Sequence, residues 1–598
     1  MSLPNPSFTS DVPLPAVSDP ASGRQWTLRP ADLRDVALLI QRHGLDPQLA
    51  RVLSARGVSP DGVEAYLDPK LRTMLPDPFV LMDMERAADR LASAVLQKEA
   101  IGVFGDYDVD GTTAAALLHR YFAQIGVALH VYLPDRMTEG YGPTAGAFRS
   151  LMKDGANIIV TVDCGAAAHD VIDEVAADGA EIIVLDHHLM SGPAPSSAYA
   201  TVNPNRPDDI SGQTNLSAAG VAYLAVVALN RRLRDLGYFE TRAEPNLMGL
   251  LDLAALGLVC DVMEMTGLTR AIVAQGLKVL EAGGNIGLAA LSARAGAKGR
   301  ASTYHLGFLL GPRINAAGRI GHARLAFELL TTDDTVRARA LAEKLHVMNA
   351  ERQAIEADVQ ESAMRMIGDD NLDADEIIVV AGDGWHPGVI GIVAGRLKEA
   401  FDKPAIVIGV DNGVGKGSGR SISGVDLGSA IAAARDDGLL VNGGGHAMAA
   451  GLTIASEGVA DLRRYLNDRL AEEVRRARAN RRLNVDAVID ARAITKTFAD
   501  TVAQAGPFGV GNPEPVFVLS DMRVAQARQV GANHLSLTLE SRTGEQVRAI
   551  AFRAEGERLG AVIRGAARIH AAGKIRADDW RGGDAGQFQI EDAAAAGT

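Results

Sequence analysis

The sequence predicts a multidomain α/β protein: a parallel-sheet unit, a second α/β unit reached through a charged helical connector, and a C-terminal β-barrel. Three observations carry this reading. Between residues 101 and 186 short apolar runs alternate with helical stretches, the pattern of parallel strands joined by crossover helices. A second strand-rich stretch opens at EIIVVAG (376–382). From Val485 the chain turns to short alternating strands, HLSLTLES and QVRAIAF among them, separated by Gly and Pro turns, as in a small barrel.

Taken in order, residues 1–27 are rich in Pro and Ser and are expected to form a disordered tail. Residues 28–97 read as short helices broken near Pro60, Pro69 and Pro76. The parallel-sheet domain is placed at 98–326, with strands at IGVF (101–104), ALHVYL (128–133), NIIVTV (157–162) and EIIVLD (181–186). Stretches such as TTAAALLHRYFAQIG and AAHDVIDEVAADGA supply the crossover helices, and a largely helical region runs from Leu216 to Gly283. The connector is 327–370, the second α/β unit 371–482 and the barrel 483–598. Residues 463–482 hold Arg463, Arg464, Arg469, Arg475, Arg476, Arg478, Arg481 and Arg482, either a basic track or a solvated helical face diluted by Glu472 and Glu473.

Composition narrows the function classes. The chain has 598 residues, 47% hydrophobic and 22% charged, enough apolar material for roughly three to five domains with proper cores. Its formal net charge of −14 argues against a generic polyanion binder, although an acidic metal cluster would itself push the balance negative. No apolar run approaches the ~18 residues of a membrane span, and the first residues lack a basic stretch followed by an apolar one. Cys164 and Cys260 are too few for a disulfide framework and poorly spaced for a zinc site, so a reducing cytoplasm is the expected location.

The chemistry concentrates at three strand ends. IGVF is followed by Gly-Asp106-Tyr-Asp108-Val-Asp110-Gly, and alternate spacing in an extended segment would set all three carboxylates on one side. NIIVTV is followed by Asp163, and EIIVL by Asp186, His187 and His188. Singly, such an Asp is ordinarily a helix cap and such a His a hydrogen-bonded surface or core residue. The first motif also resembles an EF-hand loop, but the glutamate required six residues after its glycine is Leu117 here. If the strands are neighbours, the carboxylates and imidazoles converge, and repulsion disfavours that crowd unless cations occupy it. Mixed oxygen and imidazole ligation suits Mn²⁺ or a similar ion more than an all-oxygen Mg²⁺ cage. Several carboxylates can bridge two ions about 3.5–4 Å apart, the arrangement that hydrolyses phosphate esters.

Asp186-His187-His188, with GDYDVDG and TVDCG upstream, resembles the DHH phosphoesterase superfamily. GPRINAAGRIGHA (311–323), GWHPGVIGIVAGRL (384–397), GKGSGRSISGVDL (415–427) and GGGHAMAAGLTI (443–454) narrow the resemblance to the RecJ single-strand-specific DNA exonucleases. PFGVGNPEPVF (507–517) resembles the start of that family's OB-fold domain. The resemblance implies a DHH domain and a DHHA1 domain joined by the helical connector, followed by an OB-fold barrel. It also implies a two-metal site for Mn²⁺ or Mg²⁺, ligated by Asp108, Asp110, Asp163, Asp186, His187 and Asp261, with Asp106 beside them and His188 lining the site. Asp261 stands in LGLVCDVMEM, where the family usually has different neighbours, and Phe104 occupies a position where some branches carry an additional His.

Single-stranded DNA is the implied substrate, with a helicase and a single-strand-binding protein as companions. Phosphate binding needs fixed cations or backbone N–H groups. The matching positions are Arg136, Arg313 or Arg319, and Ser418 with Arg420, the last pair read as a glycine-flanked loop. Ser418, Arg420 and Arg136 are expected to receive the 5′-terminal phosphate; interdomain salt bridges are the competing role. Gly444, Gly445 and His446 resemble the DHHA1 substrate-binding motif, with His446 donating to the scissile phosphate. Of Phe508, Phe517, Phe552, Trp580 and Phe588, most read as barrel core and the remainder as stacking surfaces. Tyr107 either stacks on a nucleotide or packs beneath its loop, and Cys164 reads as a packing residue. The expected function is a 5′→3′ single-strand exonuclease releasing 5′-mononucleotides in recombination and repair. A DHH/DHHA1 oligonucleotide or cyclic-dinucleotide phosphodiesterase is the alternative, disfavoured by the C-terminal barrel. A non-catalytic DNA-binding relative is disfavoured because every acid is present.

Overall fold

The structure, a computed structural model, describes residues 13–136, 138–140, 142–578 and 583–597. The chain divides into two compact units. One runs to residue 311, takes in 327–338 and resumes at 482; the other comprises 312–326 and 339–481. Among the described residues no helix is long and apolar enough to cross a membrane.

The first unit opens with β1 (Gln25–Leu28) and a run of short helices, then a sheet of β2 (Ile101–Gly105), β3 (Leu129–Tyr132), β4 (Ile158–Val162), β5 (Glu181–Leu185) and β6 (Ala200–Val202). The order is β3-β2-β4-β5-β6 with every pair parallel. β2 and β4 are buried along their whole length, which is why they read as unbroken apolar runs and not as alternating ones. Three-residue β6 left too short a pattern to be read. Gly105 pairs with Val162 and Val162 with Leu185, so the residues that follow β2, β4 and β5 emerge level with one another. The order reverses between β2 and β4, the place where such sheets open a crevice at their carboxyl ends.

The second unit holds a mixed sheet of β7 (Ile378–Asp383), β8 (Ala405–Asp411), β9 (Val414–Arg420), β10 (Asn442–His446) and β11 (Ala449–Ala455), in the order β10-β11-β9-β8-β7, with only β7 and β8 parallel. The expected connector is mostly one helix, Thr335–Asp369, and the chain passes between units after residue 326 and again inside this helix, after residue 338. Its later turns place Val359, Ala363 and Ile367 in a core with Ile378, Val393 and Leu397, so most of the helix belongs to the second unit. The arginine-rich stretch is not a free basic track. Arg464 pairs with Asp461, Arg475 with Glu376 and Glu472, and Arg478 and Arg481 with Asp402, while Arg463 donates to Val379 O. Acids interleaved in sequence and in space neutralise much of it.

Back in the first unit, β12 (Arg482–Val485) and β13 (Ala487–Ile489) lead into β14 (Phe517–Val530), β15 (His534–Glu540), β16 (Gln546–Ala551), β17 (Arg568–Ala577) and β18 (Gly586–Ala595). β14-β15-β16-β18-β17 closes on itself through β17 and β14, making the predicted five-stranded barrel. Phe517 and Phe588 are fully buried in it, Phe508 packs against the same core, and Phe552 is half-exposed against His534. Trp580 lies outside the described residues.

The tail expectation needs correction. Residues 1–12 lie outside the described residues, but from Ala21 the chain is packed. β1 pairs in parallel with β12, and buried Trp26 donates from Nε1 to Asp592 Oδ2 at 2.9 Å, while Ser22 N donates to Asp592 Oδ1 at 2.9 Å. One large aromatic with a buried partner outweighs a Pro- and Ser-rich composition. Helices Leu33–His43 and Pro47–Ser54 contribute Leu39, Leu49 and Leu53 to the barrel core. Trp26→Ala is expected to remove about 3 kcal/mol of packing and to open the chain before Leu28 to limited proteolysis. An unaltered digestion pattern would show that β1 is not held by this residue.

Candidate metal centre

Asp106 directly follows β2, and its N–H donates to Val162 O at 3.3 Å. Asp108 then caps the helix Val109–Gln124, its Oδ1 accepting from Gly111 N at 3.1 Å. The acids therefore straddle a strand-to-helix turn and are not an extended row, and the turn brings them together. Gly111 permits it, because a Cβ there would lie 2.6 Å from Asp106 O and 2.7 Å from Asp106 N. Buried Asp110, in the first helical turn, faces the start of the helix Ala218–Asp235. It accepts from Ser217 Oγ at 2.7 Å, Ala218 N at 2.6 Å and Ala219 N at 3.1 Å, a carboxylate held on a helix N-terminus.

Asp163 follows β4 with a left-handed φ of 64°, a conformation Asp tolerates better than most residues. Asp186 spends its oxygens locally. Oδ1 accepts from His187 N (2.7 Å) and His188 N (3.2 Å) and pairs with His188 Nδ1 at 2.7 Å, while Oδ2 accepts from Ala166 N at 3.0 Å. Asn203 and Asn205 hold the same turn by donating to the carbonyls of His188 and His187. Asp261 ends the helix Leu251–Cys260. Val262 N and Met263 N bond back to Val259 O and Leu258 O, a Schellman cap in which Val262 takes the left-handed position glycine normally fills, at φ 63°. His187 Nε2 lies 3.2 Å from Asp163 Oδ1, 3.4 Å from Asp261 Oδ2 and 3.9 Å from Asp110 Oδ2.

Burial, then the neighbouring Asp108 carboxylate, pushes Asp106 up to about 8 and Asp110 up to about 7. Burial with Asp110 and Asp108 raises Asp261 to about 8, and Asp163 goes well above its ordinary range. Burial opposes both members of the Asp186–His188 pair, but their mutual hydrogen bond and charge win: Asp186 falls to about 2 and His188 rises to about 9. Burial and the adjacent His188 lower His187 to about 4, leaving its ring neutral.

These residues fit divalent cations. His187 Nε2, Asp106 Oδ1 and Asp261 Oδ2 are buried without a hydrogen-bond partner. Ligand atoms of Asp163, His187 and His188, of Asp110, His187 and Asp261, and of Asp106, Asp108 and Asp163 lie within 4.8 Å of one another in each set. A neutral imidazole nitrogen among carboxylates needs a cation between them, and an oxygen-rich set with imidazole suits Mn²⁺ or Mg²⁺. Asp186 stands outside the three sets, and both of its oxygens accept local hydrogen bonds.

The predicted phosphate-binding residues fall in both units. In the first, Arg136 stacks over the ring of buried Tyr107, 5.2 Å from its centroid, so Tyr107 packs beneath the loop. In the second, Ser418 and Arg420 are on β9, paired on both edges, and not in a loop. The flanking glycines serve packing instead: a Cβ on Gly417 or Gly419 would strike Leu452 or Leu427. Arg420 Nη1 donates to Ser418 Oγ at 3.1 Å, and both side chains lie against Gly391 at the start of the helix Ile390–Phe401. Arg319 donates to Gly388 O at 2.9 Å and Arg313 to His346 Nδ1 at 3.3 Å, bracing roles within that unit. His446 ends β10, exposed on the hairpin into β11. Gly445 is required there, since a Cβ would meet Ala449 O at 2.4 Å, whereas space beside Gly444 is open. Sequence reasoning missed Gly257, whose absent Cβ would sit 2.5 Å from Asp110 Oδ1 and from Ala219 Cβ. It also missed Ser217, Asn203 and Asn205, none of which lies in a recognisable motif.

Three family models match this chain: the DHH family N-terminal domain over residues 100–258, the DHHA1 domain over 374–472 and the RecJ OB domain over 485–592. The single-stranded-DNA-specific exonuclease RecJ of Bacillus subtilis (strain 168) is 34% identical over 582 residues, covering 96% of this chain and 71% of that protein. The Escherichia coli (strain K12) protein of the same description is 34% identical over 511 residues, 83% of this chain and 87% of its own. Among solved structures, RecJ from Thermus thermophilus in complex with Mn²⁺ superposes with a TM-score of 0.76 at 30% identity, covering 96% of this chain and 80% of that one. A Mg²⁺ complex of the same protein gives 0.72 at 28% identity, covering 96% and 79%.

The geometry has consequences for stability. Asp106, Asp110 and Asp261 have folded-state values well above the ~3.9 of an unfolded aspartate. Their contribution to stability is complete below that value and is lost as pH rises through about 7 to 8. The His188 contribution is likewise lost as pH climbs through about 9. The metal-free protein should therefore melt lower at about pH 8.5 than at about pH 6, and Mn²⁺ should raise the midpoint more at the higher pH. Calorimetry in EDTA and in Mn²⁺ decides this. Separately, Gly257→Ala must displace Asp110 or Ala219 and is expected to cost about 1–3 kcal/mol and to weaken Mn²⁺ binding by titration.

Proposed function

This chain belongs to the RecJ family of single-stranded-DNA-specific exonucleases, and on that footing we propose that it degrades single-stranded DNA from the 5′ end, releasing 5′-mononucleotides. It is a metal-dependent exonuclease using Mn²⁺ or Mg²⁺. The observation that carries the reading is the set of buried, unpartnered acceptor atoms on Asp106 and His187, at the carboxyl ends of a parallel sheet, and on Asp261 at the end of a helix.

Asp106, Asp108, Asp110, Asp163, His187 and Asp261 would hold the ions, with Asp186 completing the set. Bound there, divalent ions supply activation of water and charge stabilisation at the leaving oxygen of a phosphodiester. Ser217 and the helix start at Ala218 orient Asp110 and favour its ionised form. Asp186 keeps His188 protonated at the rim of the site, where its ring can donate to a phosphoryl oxygen. In the first unit Arg136, steadied by Tyr107, and in the second unit Ser418 with Arg420 beside a helix start are each suited to a phosphate, and each is a candidate for selecting the 5′ end. His446 would donate to the scissile phosphate, with Gly444 letting the strand come close. Arg313 and Arg319 would steady these elements. Single strands arise where duplex DNA is unwound, so we place the enzyme in the cytoplasm beside a helicase and a single-strand-binding protein, in recombination and repair.

Digestion of 5′- and 3′-labelled single strands should release labelled mononucleotide at once from the 5′-labelled strand, only with metal, and leave blunt duplex intact. Early release from the 3′ label would reverse the polarity, and cleavage restricted to dinucleotides would indicate a small-substrate phosphodiesterase. Asp108→Ala and His187→Ala should fall to background, while Ser217→Ala should lose about 10- to 100-fold. Arg420→Ala and Arg136→Ala should slow 5′-phosphorylated strands more than 5′-hydroxyl ones; equal slowing would remove them from phosphate recognition.

A further inference from the structure

Away from the metal centre, the first unit carries an open pocket of about 390 Å³ lined by Arg56, Tyr66, Met74, Met265, Arg270 and Asn512, among others. Arg56 follows the helix Pro47–Ser54, Arg270 sits on the helix Gly267–Glu281, and Asn512 belongs to the PFGVGNPEPVF segment. Arg270 is 3% exposed. Its Nη2 donates to Ala505 O and Gly506 O, and its guanidinium lies 3.9 Å above the Tyr66 ring. Arg56 Nη2 donates to Pro513 O. Nε and Nη1 of both arginines are buried with no hydrogen-bond partner. Tyr66 covers one face of the Arg270 guanidinium.

Among the described residues neither arginine has a carboxylate within salt-bridge distance, and no acid lines the cavity. Asp486, the acid that acts on Arg56, accepts at Oδ2 from Val516 N, and its Oδ1 lies 3.7 Å from Arg29 Nε. Burial pushes both guanidinium groups below their ordinary range, and Arg56 further disfavours the charge on Arg270. Buried Arg270 and the partly exposed Arg56 together leave four donor atoms buried without an acceptor, which an anion would supply, and planar guanidinium matches phosphate oxygens in pairs. The remaining wall, from Met74, Met265, Pro69 and Val58, is apolar and adaptable, suited to a base or sugar.

We propose that this cavity is a second ligand site, one that binds the phosphate of a nucleotide, whether free or within a single strand, between Arg56 and Arg270. Its wall is tied to the metal centre through the chain. Met265, four residues after Asp261, donates its N–H to Val510 O at 2.7 Å, so the loop that carries the ligand side chain of Asp261 runs on into the cavity. Occupancy would therefore stiffen the segment following Asp261. The site involves none of the proposed nuclease residues, and its test does not depend on that reading.

The experiment is binding to the full chain in EDTA of three probes, inorganic phosphate, dTMP and an oligo(dT), followed by calorimetry and by protection of arginines from phenylglyoxal. Arg56→Gln and Arg270→Gln should each weaken probe binding at least tenfold. Arg420→Ala should leave probe protection of Arg56 and Arg270 from phenylglyoxal unchanged, whatever it does to total binding, which separates failure here from failure of the 5′-phosphate assignment. Binding of phosphate and dTMP identifies a free nucleotide as the source, and binding of oligo(dT) alone identifies the strand. Should Arg270→Gln fail to fold, Arg56→Gln and ligand protection of Arg56 and Arg270 in the parent protein carry the test. No protection by any probe, or equal affinities in the parent and Arg56→Gln, overturns the proposal.

Discussion

Carboxylates emerging side by side from level strand ends set the terms for the rest of the first unit. Two like charges ~4 Å apart repel by about 4 kcal/mol at the effective dielectric near a protein surface, and here buried Asp106, Asp110 and Asp163 are crowded with the partly exposed Asp108 and Asp261. A neutral hydrogen bond returns only about 1 kcal/mol net. Local bonds therefore cannot offset the crowding, and either protons or cations must occupy it. Raised carboxyl pKa values are the signature of the first solution, and the unpartnered nitrogen of His187 is the signature of the second.

Around that crowd, close approach is achieved by removing side-chain atoms. Gly111 lets the helix Val109–Gln124 turn back on the Asp106 backbone, and Gly257 lets the helix ending at Asp261 press on Asp110. Orientation then comes from backbone donors: a helix start for Asp110, and the tight turn with Asn203 and Asn205 for Asp186 and its histidines. The Asp261 cap stores strain, since a β-branched residue in the left-handed region costs of the order of 1–3 kcal/mol, and Val262 bears it immediately beside the candidate ligand Asp261. Such strain persists only where surrounding packing over-determines the backbone.

Much of this was legible in the residues. The apolar runs of β2, β4 and β5 announced themselves because a doubly covered parallel sheet buries both faces of each strand. The acids at their ends were visible for the same reason. Other features were hidden because they depend on partners distant in sequence. Ser418 and Arg420 looked like loop residues among glycines, yet those glycines exist to admit Leu452 and Leu427 over a paired strand. The arginines of 463–482 looked like a track for DNA until Glu376 and Asp402 appeared beside them. Trp26 looked like part of a tail, since nothing near it in sequence points to Asp592.

The sequence by itself determined the kinds of chemistry this protein can hold: which strands form, where each acid and imidazole leaves a strand, and which family's motifs follow one another. These are local properties, set by side-chain periodicity and by residue type. Only the tertiary structure decided which acids meet, which of their oxygens remain unpartnered, and which cations stay without a counter-charge. Those outcomes depend on strand order, on register to the single residue, and on glycines that let helices touch, and several of them join residues far apart in sequence. Asp110 and Asp261, or Arg56 and Arg270, acquire their meaning from a shared dielectric and a shared shortage of hydrogen-bond partners.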